Sequence, residues 1–240
     1  MLVTTEARGD VAVLTLNRDE KRNAISVDLA QALIDALRAA QETSRCVLLT
    51  GAGSCFSAGA DLGEDKLAGG FFEVFDELVG AVRGCPVPVV AYVNGPAIGA
   101  GMMVSMACDI RVAHPSARFR IPLGDMAIGV NEWTVRALIE LIGGSRARAM
   151  LFGGLEMDAG EAVSAGYAVR GSSFSDALDV AQLLSSKAPL TLRDIKMEFA
   201  PDLFSRQERQ AAQDAAFASE DVRESARARA EKRAPRFTGR

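Results

Sequence analysis

The chain has 240 residues, of which 49% are hydrophobic and 24% are charged, so it can bury a sizeable core and is not intrinsically disordered. Its 27 Lys and Arg residues against 31 Asp and Glu residues give a formal net charge of −4, which argues against a general nucleic-acid-binding protein. The only histidine, His114, excludes mechanisms that need two imidazoles and metal sites that need several histidines.

Strands and helices alternate in the first part of the chain. A β-branched run after the Gly9-Asp10 turn predicts a strand at Val11–Leu16. Ser26 is a typical helix N-cap, and the apolar residues that follow it repeat at the spacing of one helix face. These residues are Leu29, Leu33, Ile34 and Leu37. Buried strands are predicted at 46–50 and 88–93, with a helix at about 71–82 between them.

The second part of the chain becomes progressively helical. A short helix is predicted at about 101–107, and short strands are predicted at 110–113 and 117–121. Helical periodicity dominates from Trp133 onward, and no strand-like run follows Ser185. The sequence therefore predicts an α/β core at 1–185 and a C-terminal helical region at 186–240.

The cysteines and the apolar segments indicate a cytoplasmic protein. The four cysteines show no CxxC spacing and are typical of reduced, buried thiols. The N-terminus lacks the basic and apolar regions of a signal peptide. Residues 84–108 carry no charge, but prolines and glycines interrupt them, so we interpret them as a strand, a turn and a helix start. We therefore expect no membrane insertion.

Two glycine-rich turns, at 56–62 and 94–101, follow buried strands and precede helices. Small residues allow a ligand to approach the backbone closely, and two converging amides would form an oxyanion hole. Two ordinary tight turns would give the same pattern. The second turn lacks the third glycine of a dinucleotide-binding fingerprint, and the chain has no GxSxG motif for a serine nucleophile.

Four segments in register resemble the enoyl-CoA hydratase/isomerase (crotonase) family along the whole chain. They are 16–24 (LNRDEKRNA), 49–62 (LTGAGSCFSAGADL), 94–101 (NGPAIGAG) with the following Cys108-Asp109, and 231–233 (EKR). The resemblance implies a crotonase-like spiral of ββα units. It also implies a C-terminal helical region used in trimer assembly, and often a hexamer made of two trimers.

The same resemblance implies an acyl-CoA thioester as ligand or substrate, with no other cofactor and no metal. Its carbonyl oxygen would lie between the backbone amides of Ala60 and Ala100. The CoA portion would lie along Arg22, Ala24, Ala58, Ala60, Asp61 and Leu62. Lys21, Arg22 or the terminal Arg240 would meet the CoA phosphates.

The departures from the family pattern concern the two acids of its hydratases. Met103 stands where the first glutamate is expected, and methionine can neither donate nor accept that proton. Asp125, four residues before Gly129, is the expected equivalent of the second, with a side chain one methylene shorter. A loop-capping carboxylate is the alternative for Asp125. Glu132 is a rival acid that also fits an exposed first helical turn.

Three functions follow from this pattern. The first is an acyl-CoA-binding protein of fatty-acid or lipid metabolism with weak or absent hydratase activity. The second is a Δ3,Δ2-enoyl-CoA isomerase that uses Asp125 as its single base. The third is a weak hydratase that uses Asp125 with a water or Glu132. The charged tail at 219–240 is either a solvated helix face or a helix that packs on another subunit.

Overall fold

A computed structural model describes residues 1–61 and 70–240. The elements up to residue 120 are β1 (Val3–Arg8), β2 (Val11–Leu16), α1 (Val27–Thr43), β3 (Cys46–Gly51), α2 (Phe71–Gly84), β4 (Val89–Val93), β5 (Pro96–Ile98), α3 (Ala100–Ala107), β6 (Ile110–Ala113) and β7 (Arg118–Arg120). The later elements are α4 (Leu123–Met126), α5 (Glu132–Ile142), α6 (Gly144–Gly153), β8 (Met157–Asp158), α7 (Ala159–Ser164), β9 (Val169–Arg170), α8 (Phe174–Ser185), α9 (Pro189–Glu198), α10 (Arg206–Ala218) and α11 (Glu220–Ala230).

The strands form a larger and a smaller sheet. The larger sheet has the order β1-β2-β3-β4-β6-β9, and the smaller sheet has the order β5-β7-β8. Strands β1 and β2 are antiparallel and are joined by the turn at Gly9 and Asp10, whereas β2, β3, β4, β6 and β9 pair in parallel. Parallel neighbours need long crossover connections, and α1 and α2 lie in two of them.

The larger sheet is covered on both faces. Because successive strand residues point to opposite faces, Leu14 and Leu16 of β2 pack into the main core, whereas Val11 and Val13 pack into a second cluster. The predicted apolar face of α1 lies in the main core, and α8 covers the second cluster. Ser26 caps α1 as predicted, since its Oγ accepts a hydrogen bond from the Leu29 amide at 3.2 Å.

Most predicted elements are present with small shifts at their ends. The short strands β5, β8 and β9 are missing from the prediction, and so is the six-residue edge strand β1. Only Val3 of its six residues is buried, so the strand carries no hydrophobic run. The uncharged segment at 84–108 forms the predicted strand, β4, and the predicted helix, α3, and the expected turn between them contains the short strand β5. No helix within the described residues is both long and apolar enough to cross a membrane.

After Ser185, the elements of the described chain are the helices α9 to α11. Lys196 of α9 is buried, and its ammonium lies 2.6 Å from the carboxylate of Asp109, the residue before β6. This ion pair holds α9 against the α/β core. The buried carboxylate of Asp221 accepts hydrogen bonds from the Thr238 and Gly239 amides. The charged tail therefore holds the chain terminus against α11 and is not a wholly solvated face.

The four cysteines are unpaired and buried, as predicted. Burial raises the pKa of Cys46 and Cys108 from 9.0 to about 12. We therefore expect both thiols to resist iodoacetamide in the folded protein at mildly alkaline pH and to react in denaturant, as measured by mass spectrometry. Equal labelling of folded and unfolded chains would contradict this expectation.

The same shift makes the stability of the protein depend on pH. Because the folded state retains these protons to higher pH than the unfolded state, the free energy of unfolding should fall as the pH rises above 9.0.

Candidate functional site

A cavity of about 400 Å³ lies between α2, α3 and two further segments, 58–60 and 122–131, the second of which contains α4. Its wall is mainly apolar, with contributions from Phe71, Phe75, Met103 and Leu123. Both predicted oxyanion-hole residues, Ala60 and Ala100, belong to this wall. An apolar cavity with a few convergent polar groups is the usual form of a small-molecule site.

The first amide lies in a turn that is held from both sides. The Ile25 amide donates to the Gly59 carbonyl at 2.7 Å, and the Asp61 amide donates to the Ile25 carbonyl at 2.8 Å. On the other side, the Ile98 amide donates to the Ser57 carbonyl at 3.0 Å. In this parallel bridge, Ile25 bonds to the residues before and after Ala60 and not to Ala60 itself. The Ala60 amide is therefore directed away from Ile25.

The second amide lies at the start of α3. Ala100 is the first residue of this helix, so its N–H has no intrahelical acceptor. Gly99 adopts φ 49°, and its amide donates to the Arg120 carbonyl at 2.7 Å, which fixes the entry to the helix. Within residues 1–61 and 70–240, neither the Ala60 nor the Ala100 amide has a hydrogen-bond acceptor.

The two turns contact each other through glycines. A Cβ atom at Gly59 would lie 2.9 Å from the Ile98 carbonyl oxygen, and one at Gly101 would lie 2.6 Å from the Ser57 carbonyl oxygen. Only residues without a side chain allow this approach. The contact brings two unsatisfied amides into one cavity, an arrangement that suits an oxygen on which negative charge develops.

The predicted CoA-binding residues lie beside the first turn. The Ala58 amide donates to the Arg22 carbonyl at 2.9 Å, so 22–25 runs alongside 58–61 and carries Ala24 with it. Asp61 forms an ion pair with Arg18 at 2.7 Å, in which both side chains are largely buried. Leu62 lies outside the described residues. Lys21 and Arg22 are exposed next to this segment.

Sequence reasoning missed two residues that build this turn. The side chain of Asn23 is buried and donates to the carbonyls of Ala52 and Cys55, at 2.9 and 2.7 Å. Arg18 pairs with Asp61 and also donates to the Ala24 carbonyl at 3.0 Å. Both residues belong to the 16–24 segment that carries the family resemblance, and their place in this segment is the sequence signal that could have identified them.

Met103 lies in the cavity wall, one turn after Ala100 on α3. It is half-buried and packs against the main core. The position at which the family pattern expects its first acid therefore faces the cavity and carries a thioether that cannot transfer a proton.

The structure does not bring Asp125 to the cavity. Its carboxylate lies 2.6 Å from the Arg120 guanidinium, and its side chain is 58% exposed. Leu123 and Met126 of the same helix, α4, line the cavity instead. Residues three apart share a helix face, whereas Asp125 is turned away from that face. The structure therefore places Asp125 outside the cavity wall, in an ion pair with Arg120, and gives its carboxylate no capping hydrogen bond among the described residues.

The remaining acids differ in their access to the cavity. Glu132 lies in the first turn of α5, is 75% exposed and pairs with Arg136 at 2.6 Å, so it does not line the cavity. Asp76 of α2 is the only ionisable side chain that the described residues contribute to the wall. No sequence motif marks it.

No group of three His, Cys, Asp or Glu side chains in the described ranges is placed to hold a metal ion.

The family model for enoyl-CoA hydratase/isomerase matches residues 6–240. The chain belongs to this family. Among similar family members, the probable enoyl-CoA hydratase echA6 of Mycobacterium tuberculosis (strain CDC 1551 / Oshkosh) is 38% identical over 243 residues, covering 100% of both chains. The probable enoyl-CoA hydratase echA12 of Mycobacterium tuberculosis (strain ATCC 25618 / H37Rv) is 32% identical over 202 residues, covering 78% of this chain and 71% of the relative.

Solved structures of family members confirm the crotonase-like fold. An enoyl-CoA hydratase from Bacillus anthracis superposes with a TM-score of 0.88 at 27% identity, covering 100% of both chains. An enoyl-CoA hydratase/carnithine racemase from Magnetospirillum magneticum also gives a TM-score of 0.88, at 26% identity, covering 100% of this chain and 96% of that one.

Proposed function

We propose that this family member binds acyl-CoA thioesters and has weak or absent hydratase activity. One observation carries the proposal. The cavity offers two unsatisfied amides, from Ala60 and Ala100, while Met103 stands at the position of the first expected acid and Asp125, the second, pairs with Arg120 outside the wall. The cavity therefore has the groups to hold a thioester carbonyl but lacks an acid at these positions.

The two functions of such a site depend on different groups. The amides bind and polarise the carbonyl oxygen and need no particular side chain, so alanine is suitable at both positions. Addition of water requires a base to activate the water and an acid to protonate the α-carbon, and each such group contributes about 10²–10⁴ to the rate. The lack of both groups in the cavity leaves binding intact and removes most of the rate.

The CoA portion would follow the segments that flank the first amide. Arg22, Ala24 and Ala58 are neighbours there, and the Arg18–Asp61 ion pair fixes the end of the turn. Exposed Lys21 and Arg22, or Arg240, would meet the phosphates. No cofactor other than the CoA thioester is needed for this function. Fatty-acid or lipid metabolism in the cytoplasm is the setting that this ligand and the four reduced thiols favour.

Calorimetry of octanoyl-CoA with wild-type protein and Asp125→Ala tests the proposal. We expect binding to both proteins, with dissociation constants that agree within about twofold, because Asp125 pairs with Arg120 outside the cavity. Absence of binding to the wild type would overturn the proposal. A loss of affinity confined to the variant would show that Asp125 contributes to the ligand site.

The single-acid isomerase and the weak hydratase both need Asp125 in the cavity, and no contact among residues 1–61 and 70–240 favours that position. Mass spectrometry of 2-enoyl-CoA and 3-enoyl-CoA after incubation in heavy water distinguishes them from binding alone. We expect unchanged thioesters without deuterium in the acyl chain. Incorporation that disappears in Asp125→Ala would support the isomerase in place of the proposed function.

We also propose assembly into a trimer or hexamer through the C-terminal helices. Phe199 at the end of α9 and Phe217 of α10 are each 74% exposed, and Ile195 is 46% exposed. Exposed aromatic side chains of this size are typical of interfaces between subunits. Light scattering should give a mass of three or six chains, whereas a clean monomer would contradict the assembly.

A further inference from the structure

Among the described residues, one charged side chain lies in the apolar wall of the cavity. Phe71, Phe72, Phe75 and Asp76 all line it, because residues three and four apart lie on the same face of α2. The three aromatic rings form a continuous apolar surface, in which Phe71 and Phe75 stack with ring centroids 5.6 Å apart. Asp76 ends this surface with a carboxylate.

A second polar residue holds this carboxylate. The Asn131 side-chain amide, Nδ2, donates to Oδ1 of Asp76 at 3.2 Å. The other end of the Asn131 side chain caps α5, where its Oδ1 accepts the Thr134 amide at 3.0 Å and the Thr134 hydroxyl at 2.7 Å. Thr134 is fully buried, so the cap fixes Asn131 and its amide must face Asp76.

The second carboxylate oxygen of Asp76 has no hydrogen-bond partner among the described residues. Asp76 is exposed at the rim of the cavity, so this oxygen is open to water. A plain alkyl chain that fills the cavity would displace part of this water without replacing its hydrogen bonds, which costs free energy. A chain that carries a hydroxyl group would donate a hydrogen bond to the carboxylate in place of the water.

From this geometry we propose that Asp76, positioned by Asn131, makes the cavity select hydroxylated acyl chains over plain alkyl chains of the same length. The inference rests on the proposed function, acyl-CoA binding, and specifies its substrate class. The amides of Ala60 and Ala100 hold the thioester carbonyl, and the carboxylate of Asp76 recognises a hydroxyl group further along the acyl chain. A site that hydrogen-bonds a substrate hydroxyl discriminates against the analogue without it.

Calorimetry with octanoyl-CoA and its 3-, 6- and 8-hydroxy derivatives tests the selection and locates the hydroxyl group. We expect at least one derivative to bind the wild-type protein about five- to tenfold more tightly than octanoyl-CoA, which corresponds to one typical net hydrogen bond. Asp76→Leu should abolish this preference and bind octanoyl-CoA at least as tightly as the wild type. Glu73→Leu is the matched control, since Glu73 is an exposed acid of α2 outside the cavity wall, and it should retain the preference.

Asn131→Ser tests the positioning role separately. Serine also caps helices, so α5 is preserved while the amide that faces Asp76 is removed. We expect the affinity ratio between the preferred hydroxy derivative and octanoyl-CoA to fall to about half of its wild-type value or less, without loss of octanoyl-CoA binding. An equal affinity of the wild type for all four thioesters would overturn the selection, as would a preference that survives in Asp76→Leu. Failure of every thioester to bind would instead overturn acyl-CoA binding itself.

Discussion

Gly101→Ala should weaken acyl-CoA binding about tenfold or more and lower the free energy of unfolding by about 1–3 kcal/mol. The added Cβ atom would lie 2.6 Å from the Ser57 carbonyl oxygen and 2.7 Å from the Ser57 Cβ atom. Ser57 cannot move easily, because its amide and its carbonyl are bonded to 96–98 and its hydroxyl donates to the Asn23 carbonyl at 2.8 Å. The substitution therefore separates the turn that carries Ala60 from the helix that begins at Ala100.

Gly80→Ala is the matched control for this experiment. Gly80 lies inside α2, and a Cβ atom there would meet nothing within 4 Å. Alanine is a better helix former than glycine, so this variant should be more stable by about 0.5–1 kcal/mol and should bind acyl-CoA normally. Chemical denaturation and calorimetry measure both quantities. If the two variants behave alike, the close contact between the turns does not position the amides.

Local signals in the sequence are sufficient for most of the fold. Strand β3 is buried at all six residues and carries a continuous apolar run, and α1 carries both an N-cap and an apolar face. The edge strand β1 buries only Val3 and gains its structure from pairing with β2, so its sequence has no apolar face, although Val3, Thr4 and Thr5 are β-branched. Prediction fails here because the stabilising contacts are not in the segment itself.

The same reasoning explains which parts of the site are predictable. The glycine turns and their amides follow from spacing and resemblance, because the backbone supplies the function. The direction of Asp125 depends on how α4 is rotated against the cavity, and the sequence does not define that rotation. Asp76 lies in a helix whose polar residues look like an ordinary solvent face, and only the folded chain brings it to Asn131.

Met103→Glu combined with Leu123→Glu should raise enoyl-CoA hydration by about 10²-fold or more over the wild type. Both side chains already line the cavity that carries the two amides. New glutamates there would be able to reach a water and the α-carbon of a bound thioester. The mainly apolar wall should raise their pKa values by desolvation, which favours proton transfer near neutral pH. Formation of 3-hydroxyacyl-CoA from 2-enoyl-CoA measures the rate.

Two further double variants serve as controls for this experiment. Met103→Gln with Leu123→Gln has the same size and polarity without an acid, so it should bind thioesters and remain inactive. Met103→Glu with Asp125→Glu tests the arrangement expected from the sequence, and it should give less hydration than the first pair, because Arg120 holds residue 125 outside the cavity. Greater activity of the second pair would mean that α4 turns its acid toward the bound thioester. Equal activity of the glutamate and glutamine pairs would show that the missing acids are not what keeps hydration low.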